Sequence, residues 1–424
     1  MKKKVLAAML TAAVAAQTFA GSMPVLAAEE GSVESLEVWY DGSEAVNDAM
    51  VSFFENYESV SGVKLTYTRM DLDSIHDKVI AAAAAGNTPD LVFGLPEWIS
   101  EFNAMGITTD LNSYVESWED KEQFYENVMD TMMVDGKYVA LPWSSAVRAL
   151  LVHDTINETA GAEVPATWDD VLALEGYRDA AGAYPYGLTC TTARAPQELL
   201  VYLAQYGLEI CSASENGGYR NTWQENEEEL EKATKVFQFY KDLVAKGLVD
   251  PSSPTYGWEE TDANFASGLT GMFTTGTWMY TYKENYPDTM ADVSIHEIPA
   301  PADGKTCTYL EPKPLFVFDR GDKARTDAAF EAAAYLVSKD FISTCFSDQS
   351  PRKDVEGKDQ WTEDFNKLKE NAVAFPPVVL SNITQAMTDS LAKALQDNMD
   401  AKEVAVWLSD AVNASLQDSG EYGE

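Results

Sequence analysis

The sequence predicts an α/β protein built as two lobes. Strand-like and helix-like segments alternate through the first third of the chain, the alternation restarts after a turn at Asp135-Gly136, and a strand returns late, at residues 315–318. Alternating strands and helices imply right-handed βαβ crossovers and a mainly parallel sheet. A strand returning that late implies a chain that crosses between lobes more than once.

The elements follow from periodicity and punctuation. Residues 36–40 read as a strand; residues 44–59 place Val46, Met50, Phe53, Phe54 and Tyr57 on one helical face and stop at Gly62; residues 63–67 read as the next strand. A second helix over 73–85 ends at Gly86 and gives way through Pro89 to an apolar strand at 91–93. Asp135-Gly136 is a hairpin turn between 132–134 and 138–140. A strand at 149–153 follows, then a helix opened by the capping-box variant Thr167-Trp168-Asp169-Asp170, then a strand at 186–189. A long helix over 225–246 carries Leu230, Val236, Phe237, Tyr240, Leu243 and Val244 on its apolar side and stops at Gly247. Beyond the returning strand, helices are expected over 325–338, 362–370, 383–396 and 402–416. The first lobe boundary falls between Leu141 and Ala146.

Lys2, Lys3 and Lys4, an apolar run over 5–20 and small residues around Ala27 and Ala28 read as a secretory signal peptide, residues 1–28. Phe19-Ala20-Gly21-Ser22 has Ser where a lipobox places its cysteine, and the first cysteine is Cys190, so export without a lipobox cysteine is expected, to the periplasm or the extracellular face of the envelope. About 396 residues would remain, enough for two domains. The formal charge of -39 becomes about -42 without the signal lysines. Such a field repels nucleic acid and reads as a solubility adaptation. The four cysteines, Cys190, Cys211, Cys307 and Cys345, have no C-x-x-C spacing, which argues against zinc ribbons and thioredoxin-like sites. Cys190 and Cys211 flank one expected helix and either pair or stay as buried thiols.

The most informative stretch is residues 265–278. A helix tail ends at Gly268, Leu269, Met272 and Phe273 read as a buried strand, and Gly276 lets the backbone turn before Trp278 opens a helix. The indole then stands at a strand end, where ligands bind in open α/β sheets. The segment resembles the F-x-x-G-x-x-x-M-x-x-x-G-x-W pattern of the extracellular solute-binding proteins, family 1, of sugar-type ABC importers. Four more segments resemble that family in the same order: 88–92 (Thr-Pro-Asp-Leu-Val), 135–142 (Asp-Gly-Lys-Tyr-Val-Ala-Leu-Pro), 151–170 with Pro165-Ala166-Thr167-Trp168, and Ser350-Pro351-Arg352-Lys353. His153 stands where the family often has Asn, and Tyr309-Leu310-Glu311-Pro312 replaces a usual Gly-Gly.

The resemblance implies a type II-like periplasmic-binding-protein fold with a ligand cleft between lobes, one made of residues 33–142 plus 308–342 and the other of 143–307 plus 343–420. It also implies a carbohydrate ligand, hinge closure, delivery to the transmembrane subunits of an ABC permease, a monomer and no cofactor. Sugars present apolar faces and a rim of hydroxyls, so aromatic rings and planar polar groups at strand ends are the candidate contacts. These are Tyr40 and Asp41, Glu97 and Trp98, Trp143 and Ser144, Trp258 and Glu259, and Trp278. Glu311 joins them because it lies where the family commonly touches ligand, and Arg352 through the late motif. Trp168, inside a capping motif, reads as core, and Trp118, Trp223, Trp361 and Trp407 as structural. Arg148 and Arg352 either pair with carboxylates or face the cleft, in which case glycerol 3-phosphate or an acidic sugar becomes the ligand.

A secreted carbohydrate-active hydrolase is the rival class, using two carboxylates. With 69 acidic residues any pair can be nominated, so pairing carries little information. The chain has no G-x-S-x-G or H-E-x-x-H motif, and its three histidines are scattered. Asp71-Leu72-Asp73 lacks the glycine and terminal glutamate of an EF-hand. No metal and no catalytic residue is expected.

Overall fold

The computed structural model describes residues 33–423 apart from 43, 216, 284 and 358. The expected signal peptide lies outside the described residues. Nine strands form one sheet among the described residues. They are β1 (Ser35–Tyr40), β2 (Lys64–Arg69), β3 (Leu91–Phe93), β4 (Ala140–His153), β5 (Tyr184–Tyr186), β6 (Thr270–Gly276), β7 (Val293–His296), β8 (Thr308–Val317) and β9 (Ala372–Val373). The path runs β2-β1-β3-β8-β4-β6-β5, with β7 on β4 and β9 on β8.

The sheet is mixed, which corrects the expectation of a mainly parallel one. β1 is parallel to β2 and β3, and β6 to β5, as βαβ units require. β4 and β8 run antiparallel to each other because the chain crosses out on one and back on the other, and β8 is also antiparallel to β3. β4 is a single strand with all fourteen residues buried, where two separate strands were expected. Its first half pairs with β8 and its second half, from Arg148, with β6 and β7. Pro142 and Pro314 face each other where the register shifts beside Lys313. Each proline removes a ladder donor, so the ladder between β4 and β8 is thinned at the register shift.

Helices pack a separate core on each half. α1 (Glu44–Ser61) presents Met50, Phe54 and Tyr57 to β1–β3 and stops at Gly62 with φ +77°. Burial of side chains such as Met50 and Phe54 stabilises by about 1.5–3 kcal/mol each. The same core takes in Phe341, Phe346 and Val355, which follow β8 in the chain. The second core gathers α2 (Arg194–Gln205), α3 (Glu227–Ala245), α4 (Ser381–Leu395) and α5 (Ala401–Ser419). The capping box at Thr167 forms: its Oγ1 accepts from the Asp170 amide at 3.1 Å while the Asp170 carboxylate accepts from the Thr167 amide at 2.8 Å. Asp135 and Gly136 both take positive φ, as a tight hairpin turn requires. Cys190, Cys211, Cys307 and Cys345 are all buried, and no disulfide joins them.

Candidate functional site

The residues that meet between the two halves come from β4, β6, β8, the loop after β3, the head of α2 and a helix over Trp258–Ala266. β4 delivers Arg148 and fixes its backbone through Thr308, whose Oγ1 donates to the Arg148 carbonyl at 2.6 Å and accepts from its amide at 3.0 Å. The Arg148 guanidinium lies 4.4 Å from the centre of the Trp278 ring and 5.4 Å from that of Tyr309. It donates to Gln197 Oε1 at 2.6 Å and to Glu311 Oε2 at 3.4 Å, and its Nε is buried without a partner.

Trp278 is held through its indole nitrogen and by cations over its ring. Its Nε1 donates to Asp262 Oδ2 at 2.9 Å, and the fully buried Asp262 also pairs bidentately with Arg194 and accepts from Thr275 Oγ1 at 3.2 Å. Arg194 in turn lies 4.9 Å from the Trp278 ring. A Cβ on Gly276 would come within 2.0 Å of that ring, so the glycine is needed for close approach of the indole. As expected, the chain leaves the strand at Gly276 and enters a short helix, Thr277–Lys283, that holds Trp278, and Gly276 does so without a positive φ. Leu269 is exposed and outside the strand, whereas Met272 and Phe273 are buried in it.

Charges in this group are strongly perturbed. Burial alone would raise the Glu311 carboxyl, but Lys313 and Arg148 outweigh it and hold the group down at about 2. Lys313 Nζ lies 3.6 Å from Glu311. Glu198, one residue along α2 from Gln197, is pushed up to about 8 by burial, which Arg194 and Arg148 only partly offset. Burial also raises Glu97, and Glu311 adds to it, while hydrogen bonds from Gln197 and Tyr309 act against it. Glu97 Oε1 accepts from Gln197 Nε2 at 2.9 Å and from the Tyr309 hydroxyl at 3.3 Å; its Oε2 is inaccessible to solvent and has no partner.

The other sequence candidates divide. Glu97, Glu311 and Trp278 meet in the network just described. Trp143 packs on Phe93 and Phe346 at 5.4 and 4.7 Å with its Nε1 unpartnered, and Lys313 Nζ lies 5.5 Å from its ring. Ser144 donates to Gln349 Oε1 at 2.8 Å. Asp41 is raised by burial, against the pull of Lys313 and Arg69. Trp258 and Glu259 are exposed at the start of their helix.

Three candidates turn away. The Tyr40 ring packs on Phe54 at 5.0 Å and its hydroxyl donates to Asn47. Trp98 is buried against Phe102 and His76. Arg352 is 1% exposed and spends its guanidinium on Asp354, Asp120 and the Val337 carbonyl. Sequence reasoning did not select Arg194, Gln197, Asp262, Tyr309 or Lys313. Their signal was polar residues inside otherwise apolar stretches: α2 is buried along all twelve residues yet carries Arg194, Gln197 and Glu198 one turn apart.

The arrangement sets the half-buried Trp278 ring, with the Arg148 and Arg194 guanidinium groups over it, among amide and carboxylate groups, and planar polar groups beside a ring suit hydroxyl-rich ligands. Among the described residues no cluster of His, Cys, Asp and Glu could hold a metal ion. A cavity of 220 Å³ lined by Pro96, Ile99, Met133, Phe375 and Pro376 shares Tyr309 with the network. Its walls are mostly proline and aliphatic, with Ser100, Asp130 and Thr131 among its polar lining.

Solved structures share this architecture. The GacH receptor of Streptomyces glaucescens, solved unliganded and with acarbose, superposes with a TM-score of 0.79 at 20% identity over 91% of this chain and 99% of that one. An ABC transporter solute-binding protein from Thermotoga lettingae with bound α-D-tagatose gives 0.77 at 22% identity over 90% and 100%. Maltose-bound MalE3 of T. maritima gives 0.76 at 18% identity over 90% and 99%. The fold is therefore that of the two-lobed maltose-binding type, as the sequence motifs implied. No curated protein matches the chain. Residues 52–350 match the model of the bacterial extracellular solute-binding proteins, and the chain belongs to that family.

Proposed function

We propose that this protein captures a carbohydrate between its lobes and delivers it to the transmembrane subunits of an ABC importer. The observation that carries the proposal is Trp278, fixed by Asp262 and Gly276, with polar groups of unused valence nearby at Glu97 Oε2 and Arg148 Nε. The ring suits a sugar's apolar face and the polar groups its hydroxyls. Neighbours of the same fold were solved with acarbose, α-D-tagatose and maltose. Closure about β4 and β8, where prolines thin the ladder, would enclose the ligand, as hinge-bending binding proteins do.

Glycerol 3-phosphate and acidic sugars are less well served. Arg194 is matched by Asp262 and Arg352 by Asp354 and Asp120, while Arg148 and Lys313 share Glu311, so only that shared pair leaves positive charge over for an anion. Export of a monomer through a cleaved leader fits the family and the basic-apolar start of the chain. No helix among the described residues is long and apolar enough to cross a membrane.

Thermal denaturation against a panel of mono- and oligosaccharides tests the proposal. A ligand at 100 times its dissociation constant adds about 2.7 kcal/mol of stability. No shift with any sugar, together with glycoside turnover at about 1 per second or faster, would make the protein a hydrolase instead.

A further inference from the structure

Glu101 joins the two halves of the molecule at a second place. Its Oε2 accepts from the Ser381 hydroxyl at 2.9 Å, and His76 Nε2 lies 2.8 Å from the same oxygen. His76 belongs to a helix over Leu72–Ala84 and Glu101 to the short helix Ile99–Ala104, whereas Ser381 is the first residue of α4. Ile99 and Phe102, on either side of Glu101, are buried in one core with Val92 and Phe316; Ile383 and Met387, just beyond Ser381, are buried in the core of the other half. The bond therefore spans 280 residues and runs from one core to the other.

The Glu101 carboxylate is held ready for this contact. His76 is fixed by stacking on Phe102, with ring centres 5.8 Å apart, and by Trp98 at 5.4 Å. The hydrogen bond with His76, joined by that from Ser381, keeps Glu101 below its ordinary 4.5 although burial acts the other way. The other charged group at the imidazole is Asp77, largely exposed, with its Oδ1 3.6 Å from His76 Nδ1. A hydroxyl donates more strongly to an ionised acceptor than to a neutral one. α4 also opens without a side-chain cap, its N-cap being Leu380, so an anion at its start is favoured by the helix dipole.

The contact lies at an edge. Glu97 stands four residues before Glu101 in the same helical run and reaches the other half through Gln197, but its Oε2 is shut from solvent. Glu101 keeps 19% of its side chain exposed, and Ser381 is exposed. The residues beside the contact, Ile99, Ser100 and Leu380, line the 220 Å³ cavity, which places Glu101 and Ser381 at its rim.

We infer that Glu101, steadied by His76, is a positioning residue for closure: it clasps Ser381 at the rim when the lobes meet, apart from any contact made with ligand inside. The inference rests on the hinge-closing reading of the fold. Because the bond forms whenever the rims meet, it favours the closed form with or without ligand. A single exposed hydrogen bond opens readily, so it slows escape from the cleft without sealing it.

Pulsed electron spin resonance between spin labels at Met105→Cys and Gln385→Cys tests this without ligand. Both positions are exposed, one on each side of the contact, and the four native cysteines are buried. Ser381→Ala raises the ratio of long to short distances by about threefold or more, and Ser381→Thr, which keeps the hydroxyl, leaves it at the wild-type value. His76→Ala raises the ratio in the wild-type background and by less than about twofold further in Ser381→Ala, since it acts through the same bond. A full His76→Ala effect on top of Ser381→Ala removes His76 from the clasp. Wild-type distances in Ser381→Ala, or a widening that Ser381→Thr shares, overturn the clasp alone if Gln197→Ala still widens the distribution. One invariant distance in every variant, Gln197→Ala included, overturns closure about β4 and β8 and the clasp with it.

Discussion

Gln197 Nε2 donates to Glu97 Oε1 across 2.9 Å, joining residues one hundred positions apart and tying the head of α2 to the loop after β3. Because Gln197 Oε1 already accepts from Arg148, the amide is oriented with its donors toward Glu97 and Glu311. One neutral side chain thus links the two halves of the molecule through charged partners. Hydrogen bonds to charged groups contribute about 1.5–3 kcal/mol.

Replacing Gln197 by Ala cuts that link and leaves Glu97 with only the Tyr309 hydroxyl. The lobes should separate more readily, seen as a larger radius of gyration by small-angle X-ray scattering than in wild type. An identical scattering curve would show that the bond does not restrain the lobes.

Gly276→Ala tests whether the placement of the Trp278 ring matters. The new Cβ would fall 2.0 Å from the indole, so the ring must move off Asp262 although its chemistry is untouched. Sugar affinity should fall by about tenfold or more, and the loss of fit should cost about 1–3 kcal/mol of stability. Wild-type affinity in a folded Gly276→Ala protein would remove Trp278 from the site.

Much of this was legible in the chain. α1 and α3 show an unbroken apolar stripe, and the Asp135-Gly136 turn has its own chemistry, so local pattern and tertiary structure agree there. β4 was legible only at its ends, because Pro142, Ser144, Ser145 and Arg148 break any alternation and the strand exists through its pairing with β8. β8 begins at Thr308 although Pro312, Lys313 and Pro314 argue against a strand there. Trp278 announced itself through the strand and glycine before it. Asp262, which holds its indole, did not, because the contact spans sixteen residues and depends on how a helix lies against β6.

Two of the perturbed glutamates, Glu311 and Glu198, act at opposite ends of the pH scale. Glu311 is held at about 2, below its ordinary 4.5, so its contribution is full above about 4.5 and is lost as pH falls toward 2. Glu198 is raised to about 8, so stability is full below about 4.5 and is lost as pH rises through 8, when the unfolded chain ionises first. Glu198→Gln removes that alkaline loss. Its urea-derived stability at pH 8 should exceed wild type by more than about 1.4 kcal/mol, the equivalent of one pKa unit, and the gain should shrink toward pH 5. A pH-independent difference would contradict the burial of that carboxyl as its cause.

Carbohydrate capture on the Trp278 ring is tested most directly by isothermal titration calorimetry of wild type and Trp278→Ala with whichever of maltose, maltotriose and laminaribiose stabilises wild type. Removing a central aromatic anchor should cost about 2 kcal/mol or more, roughly thirtyfold in affinity, with far-ultraviolet circular dichroism unchanged. Affinity equal to wild type in the alanine variant would contradict the assignment of this ring as the sugar platform.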